Sequence, residues 1–414
     1  MHLHLSLVTL LLLFLLQPIF ASLHRSIRTE DETRQLRFGN NGLFRILQVA
    51  DMHYANGESS GCLNVLPNQM KSCSDLNTTA FVNRMILAVK PDLIVYTGDN
   101  IYGSDTKKPA KSLNMSFESA IQAGVPWVAV LGNHDQESLS LSREEVMSRV
   151  VKLPHTLSQV NPAGYKMDGF GNYNLEINGV PDSPFANKSV LNLYFLDSGD
   201  YSTNKSIPGY GWIKPSQQLW FRHTSHKLQE KYMSEPDPQK SPAPGIAYFH
   251  IPLPEFKLFD ASNMTGVRQE PISSPSINSG FFTTMVESGD VKAAFVGHDH
   301  INDFCGELTG IHLCYGGGTG YHAYGKAGWS RRSRVVDVSL HKTENGDWGG
   351  VKIIQTRKYL DDHNLSSIEP LILWNSNSTN GEETFGVSAA THASVHHFLW
   401  MMIIAAIFFQ VVFL

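Results

Sequence analysis

The chain has 414 residues, 33 Lys and Arg against 38 Asp and Glu, and a formal charge of −5. That balance gives no basic footprint for nucleic acid, so none is expected as a partner. With 42% hydrophobic residues the chain can fill a core, and its length suits one large domain over 40–374 with processed ends.

Residues 1–21 read as a secretory signal peptide, because Leu5 to Phe20 is almost continuously apolar and Ala21-Ser22 offers a small-residue cleavage region. His2 and His4 stand where Lys or Arg is usual, which leaves an uncleaved signal anchor as the alternative. A lead-in over 22–39 follows.

Five apolar, partly β-branched runs then recur, each read as a buried strand and each followed by polar residues. Leu43 to Val49 precedes Asp51-Met52-His53; Leu93 to Tyr96 precedes Gly98-Asp99-Asn100; Trp127 to Leu131 precedes Gly132-Asn133-His134-Asp135. Ile246 to Phe249 precedes His250, and Ala293 to Val296 precedes Gly297-His298-Asp299-His300. A single block of this kind is weak, since a lone His after a strand is more often a satisfied structural residue. The ordered set, each block just past a strand end, places carboxylate, imidazole and amide groups on one rim, where open α/β sheets bind ligands.

Between the blocks, a helix is expected over Phe81 to Val89, and Ser142-Arg143-Glu144-Glu145 is a capping-box helix start. Residues 155–245 are turn-rich and aromatic, with Tyr210, Trp212 and Trp220 on or near a helix starting around Ser216; these aromatics read as core, with a substrate platform as the alternative. Gly316 to His322 lacks the phosphate-loop lysine and the dinucleotide spacing, so a sheet-edge turn is expected there.

The ordered blocks resemble those of the calcineurin-like metallophosphoesterase superfamily. Within it, Gly98-Asp99-Asn100-Ile101-Tyr102 and Leu196-Asp197-Ser198-Gly199-Asp200-Tyr201 are similar to the plant purple acid phosphatases, specifically their small single-domain group. The resemblance spans about 40–360. It implies an α/β (α+β) fold, a two-layered sandwich of mixed β-sheets flanked by helices, without the additional β-sandwich domain that larger plant members carry in front. It also implies an acid phosphatase that hydrolyses phosphomonoesters through a hydroxide held at two metals, with a phosphodiesterase or a non-catalytic surface binding protein as alternatives.

Two cations about 3.5–4 Å apart need a bridging carboxylate, and Asp99 is the expected bridge. Metal one would take Asp51, His53, Asp99 and His300; metal two would take Asp99, Asn133, His250 and His298. In His298-x-His300, alternation along an extended segment would let one stretch serve both metals. Mixed oxygen and imidazole donors suit transition metals, Fe with Zn, Mn or Fe, better than Ca or Mg. His134 would protonate the leaving alkoxide, with Asp135 orienting it. Purple members have Asp-x-Gly in the first block and use the tyrosine of Gly-Asp-x-x-Tyr as ferric ligand. Here His53 and Tyr102 compete for that role, and His53 is expected to bind with Tyr102 behind it.

Seven Asn-x-Ser/Thr acceptors support passage through the secretory pathway: Asn77, Asn114, Asn187, Asn204, Asn263, Asn364 and Asn377. The four cysteines suit an oxidising compartment, and local pairing of Cys62 with Cys73 and of Cys305 with Cys314 is preferred over the other two connectivities. A polar spacer over 375–397 and an uncharged apolar tail over 398–414 match a lipid-anchor signal, with an ordinary anchor helix as the alternative. The expected location is extracellular or at the cell surface, held to the membrane by that anchor or tail.

Overall fold

The computed structural model describes residues 35–137, 140–234 and 238–377. The signal segment, most of the lead-in, nearly all of the spacer and the apolar tail lie outside the described residues. In chain order the elements are β1 (Leu43–Val49), α1 (Asp75–Val89), β2 (Leu93–Thr97), α2 (Pro109–Ser116), α3 (Glu118–Ala123), β3 (Trp127–Val130) and α4 (Arg143–Val150). There follow β4 (Tyr173–Asn178), β5 (Ser189–Phe195), α5 (Pro215–Met233), β6 (Gly245–Tyr248), β7 (Met264–Thr265), α6 (Phe281–Ser288) and β8 (Val291–Val296). The last are β9 (Cys305–Leu308), β10 (Ile311–Tyr315), β11 (Arg332–Lys342), β12 (Trp348–Leu360) and β13 (Ser367–Asn375).

They form two mixed sheets, one ordered β13-β12-β11-β1-β2-β3 and the other β4-β5-β6-β8-β10-β9-β7. Strands β1, β2 and β3 are parallel neighbours, as are β5, β6, β8 and β10, while β11–β13 and the outer strands of the second sheet are antiparallel. The parallel strands carry unbroken apolar runs because both their faces are covered; every residue of β2, β3, β5, β6 and β10 is buried. Ile46, Val95, Leu193, Tyr248 and Phe295 belong to one core cluster. Trp220, Phe221 and Phe281 from α5 and α6 join Phe249, Val296 and Tyr315 in a second.

The expected mixed-sheet sandwich is the architecture found. The helix expected over Phe81 to Val89 begins six residues earlier, at Asp75, where Ser74 and Asn77 form a capping box. The Ser142 capping box opens α4 as expected. Both local disulfides are present, Cys62–Cys73 and Cys305–Cys314, the second tying β9 to β10. The turn expected at Gly316 to His322 is instead a segment laid against the metal-block loops. Gly318 N donates to His300 O, Thr319 N to Ala50 O, and Gly320 N to Asp51 O. A Cβ at Gly320 would overlap Met52 O, so only glycine lets the two backbones approach this closely.

Candidate metal centre

All five polar blocks leave the carboxyl ends of parallel strands, and the two sheets are pinned together just beneath them. Gln48 Nε2 donates to Thr97 Oγ1 and to Val296 O, both at 3.1 Å, linking β1 and β2 to β8. The loops then turn sharply: Asp51, His53, Asp99 and His298 all have positive φ, at 54°, 46°, 50° and 81°. Non-glycine residues in this region cost of order 1–3 kcal/mol each and persist where the surroundings over-determine them. His298-Asp299-His300 is therefore a bend and not the extended alternation expected, and Asp299 N donates to Gly297 O at 3.1 Å.

The bends gather two donor sets. Asp51, His53, Asp99 and His300 present ligand atoms within 4.8 Å of one another, and Asp99, His250 and His298 do the same. Asp99 is common to both, as a bridging carboxylate requires. Asn133 is fully buried beside the second set, its Oδ1 3.3 Å from His250 Nε2. Outer contacts choose which imidazole nitrogen faces inward. His250 Nδ1 is 2.8 Å from Thr97 O and His300 Nδ1 is 3.0 Å from Tyr324 O, so each ring turns Nε2 to the carboxylates.

These residues fit a pair of cations. Asp51 Oδ2, Asp99 Oδ2 and His298 Nε2 are buried without a hydrogen-bond partner, an arrangement that costs free energy unless something positive collects those lone pairs. His53 Nε2 and His250 Nε2 approach Asp99 Oδ2 at 3.3 and 3.2 Å without the alignment of a hydrogen bond. Burial holds His53 and His300 below the ordinary imidazole range and pushes His298 down to about 3, which favours the neutral rings that can donate a lone pair.

Tyr102 packs its ring 5.3 Å from that of His53 and 5.0 Å from that of His134. His134 lies at the mouth, its side chain 22% exposed, with Nε2 4.0 Å from Asp99 Oδ2. Its other nitrogen is 2.7 Å from Glu137 Oε1. Burial works against the imidazolium, but Glu137 and Asp99 outweigh it and raise His134 above the ordinary value.

Asp135, expected to orient His134, does not. Its Oδ1 accepts from Asn100 N and Ile101 N at 2.9 and 3.0 Å, and its Oδ2 from Gly132 N at 2.7 Å. It braces the second loop against the third, because adjacent side chains diverge where the chain turns, and the residue three positions on from His134 returns to its side. Glu137 was missed for that reason. Its signal was an acid at i+3 from a candidate general acid.

Two further expectations change. Trp220 is core, but Tyr210 stands edge-on to His298 with ring centres 4.4 Å apart. Tyr201 stacks on Tyr210 at 5.2 Å. His322, given no role, spans Gly61 O and Asp105 Oδ2 at 2.7 Å each and lies against Tyr102. Of the glycosylation acceptors, Asn114, Asn187, Asn204, Asn263, Asn364 and Asn377 are exposed, whereas Asn77 is half-buried with its Oδ1 accepting from Ser74 N.

The chain matches the model of the calcineurin-like phosphoesterase family over residues 44–302. It is 62% identical over 352 residues to the Arabidopsis thaliana protein named "Probable inactive purple acid phosphatase 29", covering 84% of this chain and 90% of that one. It is 32% identical to "Phosphatase DCR2" of Saccharomyces cerevisiae, covering 76% of this chain and 55% of that one. Among solved structures, a dimetal phosphatase from Danio rerio aligns with a TM-score of 0.49 at 13% identity, over 80% of this chain and 99% of its own. With its ligand blocks on the strand ends of two mixed sheets, the chain belongs to the calcineurin-like phosphoesterase family.

Proposed function

We propose that this protein is an acid phosphatase that hydrolyses phosphomonoesters at a two-cation centre. One observation carries the reading: two buried donor sets share Asp99, with the imidazole of His134 held beside them by Glu137. Asp51, His53, Asp99 and His300 would hold one cation, and Asp99, Asn133, His250 and His298 the other. Such a pair, when bound, neutralises phosphoryl oxygens and lowers the pKa of water toward neutrality. The protein's own part is to exclude bulk water from Asp51 and Asp99, both 1% exposed, and to supply a proton. His134 turns Nε2 toward the site while Glu137 holds Nδ1, an arrangement suited to protonating a leaving alkoxide. Fe with Zn, Mn or Fe suits this mixed donor set.

Secretion and anchoring belong to the same proposal. Two disulfides suit an oxidising compartment, and the six exposed glycosylation acceptors are accessible to the machinery that would modify them. A lipid-exchanged tail would make active enzyme releasable from membranes by phosphatidylinositol-specific phospholipase C; resistance in cells whose other lipid-anchored proteins are released would favour a peptide anchor.

A second reading rests on the name of the Arabidopsis relative and on the departure from Asp-x-Gly in the first block: a surface binding protein whose metal centre does no chemistry. A kinetic screen on the purified protein separates the readings. Turnover of 4-nitrophenyl phosphate above that of bis(4-nitrophenyl) phosphate supports the monoesterase, the reverse order favours a phosphodiesterase, and no turnover with metals in place favours the binding role.

A further inference from the structure

The wall of the site next to His298 is built from residues outside the five blocks. Tyr201 and Tyr210 face each other across a two-residue antiparallel bridge, closed by Ser202 N to Gly209 O at 2.8 Å and Gly211 N to Asp200 O at 2.6 Å. Their rings stack at 5.2 Å with planes 24° apart. Tyr210 meets the His298 ring at 4.4 Å and 90°. The pair therefore rises directly from one of the proposed ligands.

The loop that carries Tyr201 is held firmly. Arg143 donates to Asp197 Oδ1 and Oδ2 and to Gly199 O, and also grips Gly132 O in the His134 loop at 2.6 Å. Gln136 Nε2 donates to Asp200 Oδ2, and Ser198 Oγ accepts from His250 N and Ile251 N. With its loop tied at so many points, Tyr201 nonetheless leaves 48% of its surface in solvent. A rigid, half-exposed aromatic at the mouth of a polar site offers a flat apolar face and little entropy to lose when something covers it.

We propose that Tyr201, backed by Tyr210, is a specificity-determining platform that stacks a planar aromatic group joined directly to the phosphoryl ester oxygen. The inference rests on the phosphomonoesterase reading and names its substrate class as aryl phosphates. Because the platform begins at His298, a ring one bond beyond the ester oxygen reaches it. A nucleobase, set off from phosphate by a ribose, projects past it.

The test uses non-hydrolysable probes, so that binding is read separately from turnover. Benzylphosphonate and (cyclohexylmethyl)phosphonate, in which a CH2 stands in the place of the ester oxygen and which are similar in size but differ in planarity, are titrated calorimetrically into the purified protein with its retained metals, alongside Tyr201→Leu and Tyr201→Phe. Wild type should bind the phenyl probe about fivefold tighter, within the range of aromatic pair contacts. Tyr201→Leu should abolish that preference, and Tyr201→Phe should keep it. Equal affinities in wild type, a preference that survives Tyr201→Leu, or no binding of either probe to metal-loaded protein overturns the platform. A phenyl preference dependent on Tyr201 in a protein without turnover upholds the platform and defeats the hydrolase reading. Turnover without that preference does the opposite.

Discussion

His134 pairs with Glu137 and not with its neighbour in sequence: Nδ1 lies 2.7 Å from Oε1, while the nearer acid, Asp135, is spent on backbone amides. The imidazole is thereby fixed in one orientation with Nε2 inward. Glu137→Gln should retain the metals and lower kcat by about tenfold, and His134→Ala should lower it by about 10²–10⁴-fold, the usual span of general acid catalysis. Steady-state kinetics with metal analysis check both. Loss of a cation in either variant would contradict the assignment.

Gly132 tests how closely the loops must pack. A Cβ there would overlap Asp99 Oδ1 and Asp99 N, so the Asp99 loop would have to shift. Gly132→Ala should cost about 1–3 kcal/mol, as overpacking does, and should lose metal. A variant with normal metal content would show the loop to be softer than its contacts imply.

The first block departs from the purple phosphatase pattern, and His53 sits inside the donor cluster with Tyr102 packed against its ring. His53→Ala should lose metal and activity, whereas Tyr102→Phe should keep metal and most activity, and the protein should lack strong visible absorption. A coloured wild type bleached by Tyr102→Phe would reverse the two roles.

Asp290 is buried away from the site, accepting hydrogen bonds from Tyr194 and Ser225 at 2.5 and 2.8 Å. Burial lifts its carboxyl above the ordinary value, with those bonds and Lys292 opposing. The native state thus keeps the proton to higher pH than the unfolded chain, whose value is about 3.9. Stability from this group is present below that value and is lost as pH rises through the raised one. Asp290→Asn, which cannot ionise, should become more stable relative to wild type on going from pH 4 to pH 7. Denaturant midpoints at the two pH values report the difference, and a constant or reversed gap would refute it.

The sheet skeleton and the donor set were legible because both are written locally. Strands buried on two faces appear as unbroken apolar runs, and β1 begins and ends where its run does. The residues that could hold a metal stand at those runs' ends. What escaped was written in pairing. β4 and β5 lie inside the turn-rich stretch over 155–245, and β11–β13 depend on long antiparallel ladders with register shifts. Tyr210 looked like core because its partner His298 is 88 positions away in sequence. Asp135 looked like a catalytic orienter because sequence adjacency hides the turn that carries it off.

The central claim is that Asp99 bridges two cations that serve hydrolysis. Elemental analysis of the purified protein, coupled to turnover of 4-nitrophenyl phosphate in the same preparation and in Asp99→Asn, tests it most directly. Two transition ions per chain with acid-side turnover, both lost in Asp99→Asn, are predicted. One ion or none per chain, or two ions with no turnover, would contradict it.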